Sequence, residues 1–151
     1  MKWFSLLGFC LSLMVSFNSI AHTDEYLDSQ PSPHGGQVRM VGNYHFELVV
    51  EEKHLTVYVT DHAGQPVAVK DATGQATVLV NKTKETVVLK PEGENVLKGE
   101  GQLTLDPEMK VIVSITFSGQ EAQQARFTPL QKKSVKSKDT STEHAPGHHS
   151  N

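Results

Sequence analysis

The strongest constraint on the fold is a repeated pattern of short apolar runs separated by turn residues, which extends from Gln37 to about Pro129. The runs are rich in Val, Thr, Ile and aromatic residues, which favour strands, and the Gly, Pro, Asn and Asp residues between them favour turns. No segment has a convincing apolar period of about 3.6 residues, although residues 120–126 alone could form a helical turn. The pattern predicts an all-β fold, a single antiparallel β-sandwich of immunoglobulin-like or cupredoxin-like topology.

The clearest pair of predicted strands covers residues 44–50 and 53–61, which form an antiparallel hairpin through Glu51 and Glu52. Alternation places apolar side chains on one face and polar side chains, including His45 and Glu47, on the other. The predicted inward-facing side chains are Tyr44, Phe46, Leu48, Val50, Leu55, Val57 and Val59. Further candidate strands are residues 67–70, 75–80, 85–90, 102–105, 110–117 and 122–127, and the breaks include residues 61–66, 81–82, 91–93, 98–101 and 106–107.

The two ends of the chain differ in composition from this central region. Residues 1–21 resemble a cleaved signal peptide, with a positive start, an apolar run and a cleavage site after Ala21. Residues 22–36 are polar and proline-containing and predict an extended arm, residues 37–130 form the sandwich domain, and residues 131–151 predict a disordered tail. The protein is therefore expected to be periplasmic, with no membrane span after removal of the signal.

The single cysteine, Cys10, lies inside the predicted signal peptide. Lipidation of this residue is disfavoured because the bulky Phe9 precedes it and only nine residues lie upstream. The processed chain would have no thiol, which excludes disulfides and cysteine-based metal sites. Charges are mixed, with 14 basic and 17 acidic residues, which is not the footprint of a nucleic-acid-binding protein. No catalytic motif is found, so the chain is not expected to be an enzyme. If it were one, a copper oxidase that uses the terminal histidine would be the only sensible candidate.

Histidine is the unusual residue, because all eight lie beyond the predicted signal peptide. Cleavage after Ala21 would make His22 the first residue, with an α-amine and a ring nitrogen that together suit Cu(II). Asp24, His34, His45 or Glu47 could complete such a site if the arm folds back. The alternative is a cleavage site that happens to precede a histidine in an exposed arm.

Three other groups of residues are candidate ligands. The His34-Gly35-Gly36 sequence could present an imidazole at a tight turn before the first strand, or could be a turn whose histidine faces water. His45 and Glu47 share a strand face with His54 or Tyr58 on the next strand, which suits Zn(II) or Cu(II) but is also typical of a solvated face. The tail could capture metal ions through His144, His148 and His149.

Together, the sequence His34-Gly35-Gly36, residues 44–49, residues 55–61 and Gly64-Gln65-Pro66-Val67 resemble small secreted proteins of Gram-negative bacteria. They also resemble N-terminal modules of the periplasmic adaptors of heavy-metal efflux systems. The similarity runs from about His34 to Phe127 and is most specific at its N-terminal end. It implies a periplasmic β-sandwich linked to transition-metal handling. A terminal His22 is also similar to periplasmic copper carriers of the copper-resistance C type, although this chain has no clear downstream Asp-x-His partner.

The leading interpretation is a non-enzymatic periplasmic protein that binds or buffers a transition metal in heavy-metal resistance or efflux. Cu(II) is the first candidate, and Zn(II), Ni(II) and Co(II) remain open. The expected ligands are His22, His34, His45 and Glu47, with His144, His148 and His149 as an auxiliary capture arm. The rival interpretation is an envelope interaction module that docks an efflux adaptor or another periplasmic protein through a sheet edge, without metal.

Overall fold

A computed structural model describes residues 21–131, with side chains from Asp24 onward. The predicted signal peptide before Ala21, the side chain of His22 and the tail histidines fall outside this description. Among the described residues, α-helical structure nowhere reaches the length and hydrophobicity of a membrane-spanning segment. The elements are α1 (Ala21–Ser29), β1 (Gln37–Val41), β2 (Tyr44–Val50), β3 (His54–Asp61), β4 (Thr73–Val80), β5 (Thr83–Pro91), β6 (Val96–Glu100), β7 (Lys110–Thr116) and β8 (Gln123–Phe127).

The eight strands form one antiparallel sheet in the order β1-β2-β3-β6-β5-β4-β7-β8. The order β7-β4-β5-β6 is a Greek key, since three hairpin-connected strands are flanked by a fourth that returns beside the first. β5 belongs to both halves of the sandwich: most of it pairs with β4, and Lys90 and Pro91 pair with β6. The outer strands approach each other, and Gln37 Oε1 accepts a hydrogen bond from the Thr128 backbone N–H at 2.7 Å. The predicted all-β antiparallel sandwich is confirmed.

The predicted hairpin of β2 and β3 is confirmed, and the structure gives its register. Phe46 lies opposite Val59, and Leu48 lies opposite Val57. These four side chains are fully buried, because strict alternation directs them all to the inner face of the sheet. On the outer face, the same register places His45 opposite Thr60 and Glu47 opposite Tyr58.

The connection of β4 and β5 is also the turn that the sequence predicts. Asn81 and Lys82 both have positive φ values, 48° and 69°. Two consecutive left-handed residues are characteristic of a type I′ turn, whose twist matches that of the flanking strands. Asparagine tolerates this conformation better than most side chains, which explains its position here.

Strand assignment from the sequence is wrong in the region of β6. Residues 98–101 were predicted to be a break, but Lys98, Gly99 and Glu100 are paired with β3. This strand position requires glycine, because a Cβ atom at residue 99 would lie 2.5 Å from Val87 Cγ1 and 2.8 Å from the Val88 carbonyl oxygen. The glycine therefore marks close packing against β5 and does not mark a turn. Residues 67–70 and 102–105 are not strands, and residues 120–126 do not form a helical turn.

The extended arm predicted over residues 22–36 is wrong for its first part, which forms α1. The helix has no apolar stripe to bury, and charged groups hold it against β1 instead. Arg39, 9 % exposed on β1, donates from Nη1 and Nη2 to the two carboxylate oxygens of Asp28 at 2.8 and 3.1 Å. Its Nε lies 3.6 Å from Asp24 Oδ2. A two-pronged arginine–carboxylate contact is strongly directional, so it can fix the position of the helix. This matters because Tyr26, a large apolar side chain of the helix, is 65 % exposed and contributes little burial.

Candidate functional site

Glu47 is a buried acceptor whose hydrogen bonds are made within the protein. The residue is 5 % exposed. Its Oε1 accepts the backbone N–H of His34 at 2.8 Å and that of Gly36 at 3.0 Å. Its Oε2 accepts from His34 Nδ1 at 2.8 Å. Hydrogen bonds to an ionised acceptor are stronger than neutral ones, and they satisfy two backbone donors that the preceding turn leaves free.

The His34 ring is fixed from a second side by Tyr58. The two rings are parallel, with centroids 3.6 Å apart, and Tyr58 is the cross-strand neighbour of Glu47. Gly35 has φ +75°, and a Cβ atom at Gly36 would collide with the Leu48 carbonyl oxygen. Both glycines are therefore needed for the chain to pass close over β2. The structure brings His34 and Glu47 into contact with each other, and these contacts hold the turn before β1.

A second pair of outer-face side chains, His45 and His62, is arranged differently. Their ring centroids are 5.0 Å apart and their planes are inclined at 63°. Two imidazoles that bind one ion through nitrogen at about 2.0–2.1 Å have centroids roughly 4.5–5.5 Å apart for nitrogen–metal–nitrogen angles of about 90° to 120°. The observed separation lies inside that range. The pair therefore has the spacing of two ligands of one metal ion.

His62 is oriented by a hydrogen bond from its Nε2 to the Gly42 carbonyl oxygen at 3.1 Å. A carbonyl can only accept, so Nε2 carries the proton and the Nδ1 lone pair is left for another partner. Metal-binding histidines are commonly oriented by such a bond from the second ring nitrogen. The bond spans the β1–β2 hairpin and the turn after β3, and so it fixes His62 relative to His45.

The pKa of His45 is lowered, first by burial of the half-buried ring and next by the neighbouring His62, while Asp61 acts weakly in the opposite direction. Burial disfavours the charged form, and a second imidazolium nearby would add repulsion. His45 is therefore neutral at pH 7. Neutral imidazole is the form that binds metal ions.

Two carboxylates close in sequence to this histidine pair are already engaged. Glu47 bonds the turn before β1, as described. Asp61 Oδ1 accepts the backbone N–H of Ala63 at 2.8 Å and that of Gln65 at 2.9 Å, which closes the turn after β3. Met40, in contrast, lies directly opposite His45 on β1 and is 41 % exposed.

The predicted ligands are not gathered into one cluster. His34 and Glu47 bond each other, and His45 pairs with His62. His54, a predicted neighbour of the His45 face, contacts the Glu51 carboxylate through its Nε2 at the other end of the hairpin. In the region from Asp24 to Gln131, no group of three or more His, Cys, Asp or Glu side chains is placed to hold a metal ion. The predicted roles of His22, His144, His148 and His149 lie outside the described side chains.

His62 is the candidate that sequence reasoning missed, because it was assigned only to a turn. The hairpin register contained the signal. His45 lies opposite Thr60, and His62 follows Thr60 by two residues, so alternation directs it to the same face.

Comparison of the chain with protein-family models, with curated proteins and with solved structures finds no match to any of them.

Proposed function

We propose that this protein is a periplasmic transition-metal binder, that His45 and His62 are its primary ligands, and that copper is its first candidate metal. Zinc, nickel and cobalt are the other candidates. The observation that supports this function best is the 5.0 Å separation of two imidazoles, one oriented by a carbonyl and the other held neutral by its surroundings. Divalent copper exceeds the other first-row ions in affinity for nitrogen ligands, which favours it here.

A site with two histidine ligands on an open surface suits buffering and transfer of a metal better than permanent structural retention. Structural zinc sites are usually closed by four protein ligands. Here the outer face leaves coordination positions open to a donor or an acceptor protein. This property agrees with the proposed link to heavy-metal resistance and efflux.

The termini extend the proposal beyond the described side chains. After signal cleavage, His22 would add an amine and a ring nitrogen, and His144, His148 and His149 would form an auxiliary capture arm. A flexible histidine tract binds more weakly than a preformed pair because binding must order it. We therefore assign the tail to capture and the His45–His62 pair to retention.

The test is a Cu(II) titration of the processed full-length protein, followed by electron paramagnetic resonance. We expect one equivalent of a nitrogen-coordinated signal to disappear in the His45→Asn/His62→Asn double variant. His54→Asn is the matched control, because it removes an outer-face imidazole from the same hairpin at the opposite end and should leave the signal unchanged.

Retention of the full signal in the double variant would overturn the assignment of the site. If the unmodified protein itself gives no stoichiometric copper signal, the metal function fails. The interaction module that docks through a sheet edge would then be the better explanation.

A further inference from the structure

Two carboxylates lie close in sequence to the His45–His62 pair, and both are engaged elsewhere. Glu47 and Asp61 accept two backbone hydrogen bonds each. A carboxylate that moved to bind a metal would leave those backbone donors without partners, which costs about 1–3 kcal/mol for each donor. The pair is therefore better served by a ligand that is not engaged elsewhere.

Met40 satisfies that requirement. It is the directly paired neighbour of His45 in the β1–β2 ladder, and directly paired residues of antiparallel strands place their side chains on the same face, with Cβ atoms about 4.5–5.5 Å apart. Met40 is 41 % exposed and is not part of the core, whereas Met109 is fully buried in it. The Met40 thioether is thus an exposed, flexible sulfur on the same face as His45 and next to it in the ladder.

We propose that Met40 completes this site and that its cargo is Cu(I). This inference rests on the proposed function, and it identifies the oxidation state that the site retains. Thioether sulfur is a soft donor that selects Cu(I) over harder divalent ions. Charge gives the same preference, since three neutral ligands leave one positive charge on Cu(I) but two on Zn(II) or Cu(II).

The test is an anaerobic Cu(I) titration of the processed full-length protein in competition with bicinchoninate. Met40→Leu should lower the Cu(I) affinity at least tenfold, while its Zn(II) and Cu(II) affinities stay within about twofold. Met109→Leu is the matched control, because it removes a thioether of the same chain from the core with little change in volume. Its Cu(I) affinity should be unchanged.

A direct readout comes from selenomethionine-labelled protein loaded with Cu(I). Absorption spectroscopy at the selenium edge should show a copper neighbour in the unmodified protein and in Met109→Leu, but not in Met40→Leu. If Met40→Leu keeps full Cu(I) affinity while His45→Asn/His62→Asn loses it, the Cu(I) inference is refuted and the proposed metal site stands. If neither variant changes the affinity for any metal, both are refuted.

Discussion

Replacement of Glu47 by alanine should remove the group that holds the turn before β1 against the sheet. The carboxylate accepts the backbone N–H groups of His34 and Gly36 and the His34 ring nitrogen, at 2.8 to 3.0 Å. Alanine leaves all three donors without this partner. It also leaves a gap beneath the His34–Tyr58 stack.

The magnitude follows from the exposure of each donor. A hydrogen bond to a charged group contributes about 1.5–3 kcal/mol, with the lower end expected where water can replace the partner. The His34 side chain is 43 % exposed, so the contact of its ring with the carboxylate contributes roughly 0–1 kcal/mol. The two backbone bonds dominate, and the expected loss is about 2–4 kcal/mol. For a domain of this size that corresponds to a Tm lower by roughly 10–20 °C.

Urea denaturation followed by circular dichroism measures this loss, since the only tryptophan, Trp3, lies in the predicted signal peptide. Glu47→Gln is the control. Its amide oxygen can still accept both backbone N–H groups, and its NH₂ can donate to His34 Nδ1 in the other ring tautomer, so the loss should stay at about 1 kcal/mol. A loss below about 0.5 kcal/mol in Glu47→Ala would refute the reasoning. Equal losses in the two variants would refute the emphasis on backbone acceptance.

Three further outcomes are expected. Gly99→Ala should destabilise the protein by about 1–3 kcal/mol in urea denaturation, because its Cβ would lie 2.5 Å from Val87 Cγ1; an unchanged midpoint would contradict the packing described. Because burial and His62 lower the pKa of His45, the unfolded state binds more protons below about pH 6.5, so stability of the metal-free protein should fall as the pH falls. His45→Gln should weaken that dependence, and an identical pH profile would contradict it. One extra residue before His22 should remove any Cu(II) equivalent bound by the terminal amine; an unaltered titration would exclude that ligand.

The parts of the fold that could be predicted from the sequence are those in which local chemistry and tertiary packing agree. Side chains of β2 and β3 alternate between the two faces of the sheet, as the sequence pattern predicts. Asn81-Lys82 is predicted to be a turn from its residue types and has the backbone angles of one in the sheet. β6 could not be predicted, because Gly99 is required by a contact with β5, which is distant in sequence. Similarly, α1 has no apolar stripe, since its anchor is Arg39 on β1. The spacing of apolar residues indicates which face of an element is buried, but it does not indicate an arginine–carboxylate contact such as that of Arg39 with Asp28.

The candidate site was predicted in part for the same reason. Alternation placed His45 and Glu47 on one face, and the structure confirms that placement. It could not reveal that Glu47 bonds the His34 backbone, because the path of the chain before β1 depends on two glycines and the Leu48 carbonyl. The proximity of His62 could have been derived, but only after the hairpin register was extended beyond the last paired residue.

Hydrogen-bond capacity is what separates the two histidine environments of this face. An ionised carboxylate only accepts, and the Oε1 of Glu47 already receives two backbone donors, so the His34–Glu47 pair has little capacity left for a metal. The carbonyl of Gly42 also only accepts, but its bond to His62 Nε2 determines where the proton lies and leaves the Nδ1 lone pair free. The hydrogen bonds of Glu47 occupy the oxygen atom that a metal would need. The bond from His62 Nε2 to Gly42 instead leaves His62 Nδ1 available as a ligand atom. The lowered pKa of His45 favours its neutral form, which is the form that the proposed metal site requires, and we propose that Met40, its neighbour on β1, determines which cation is preferred.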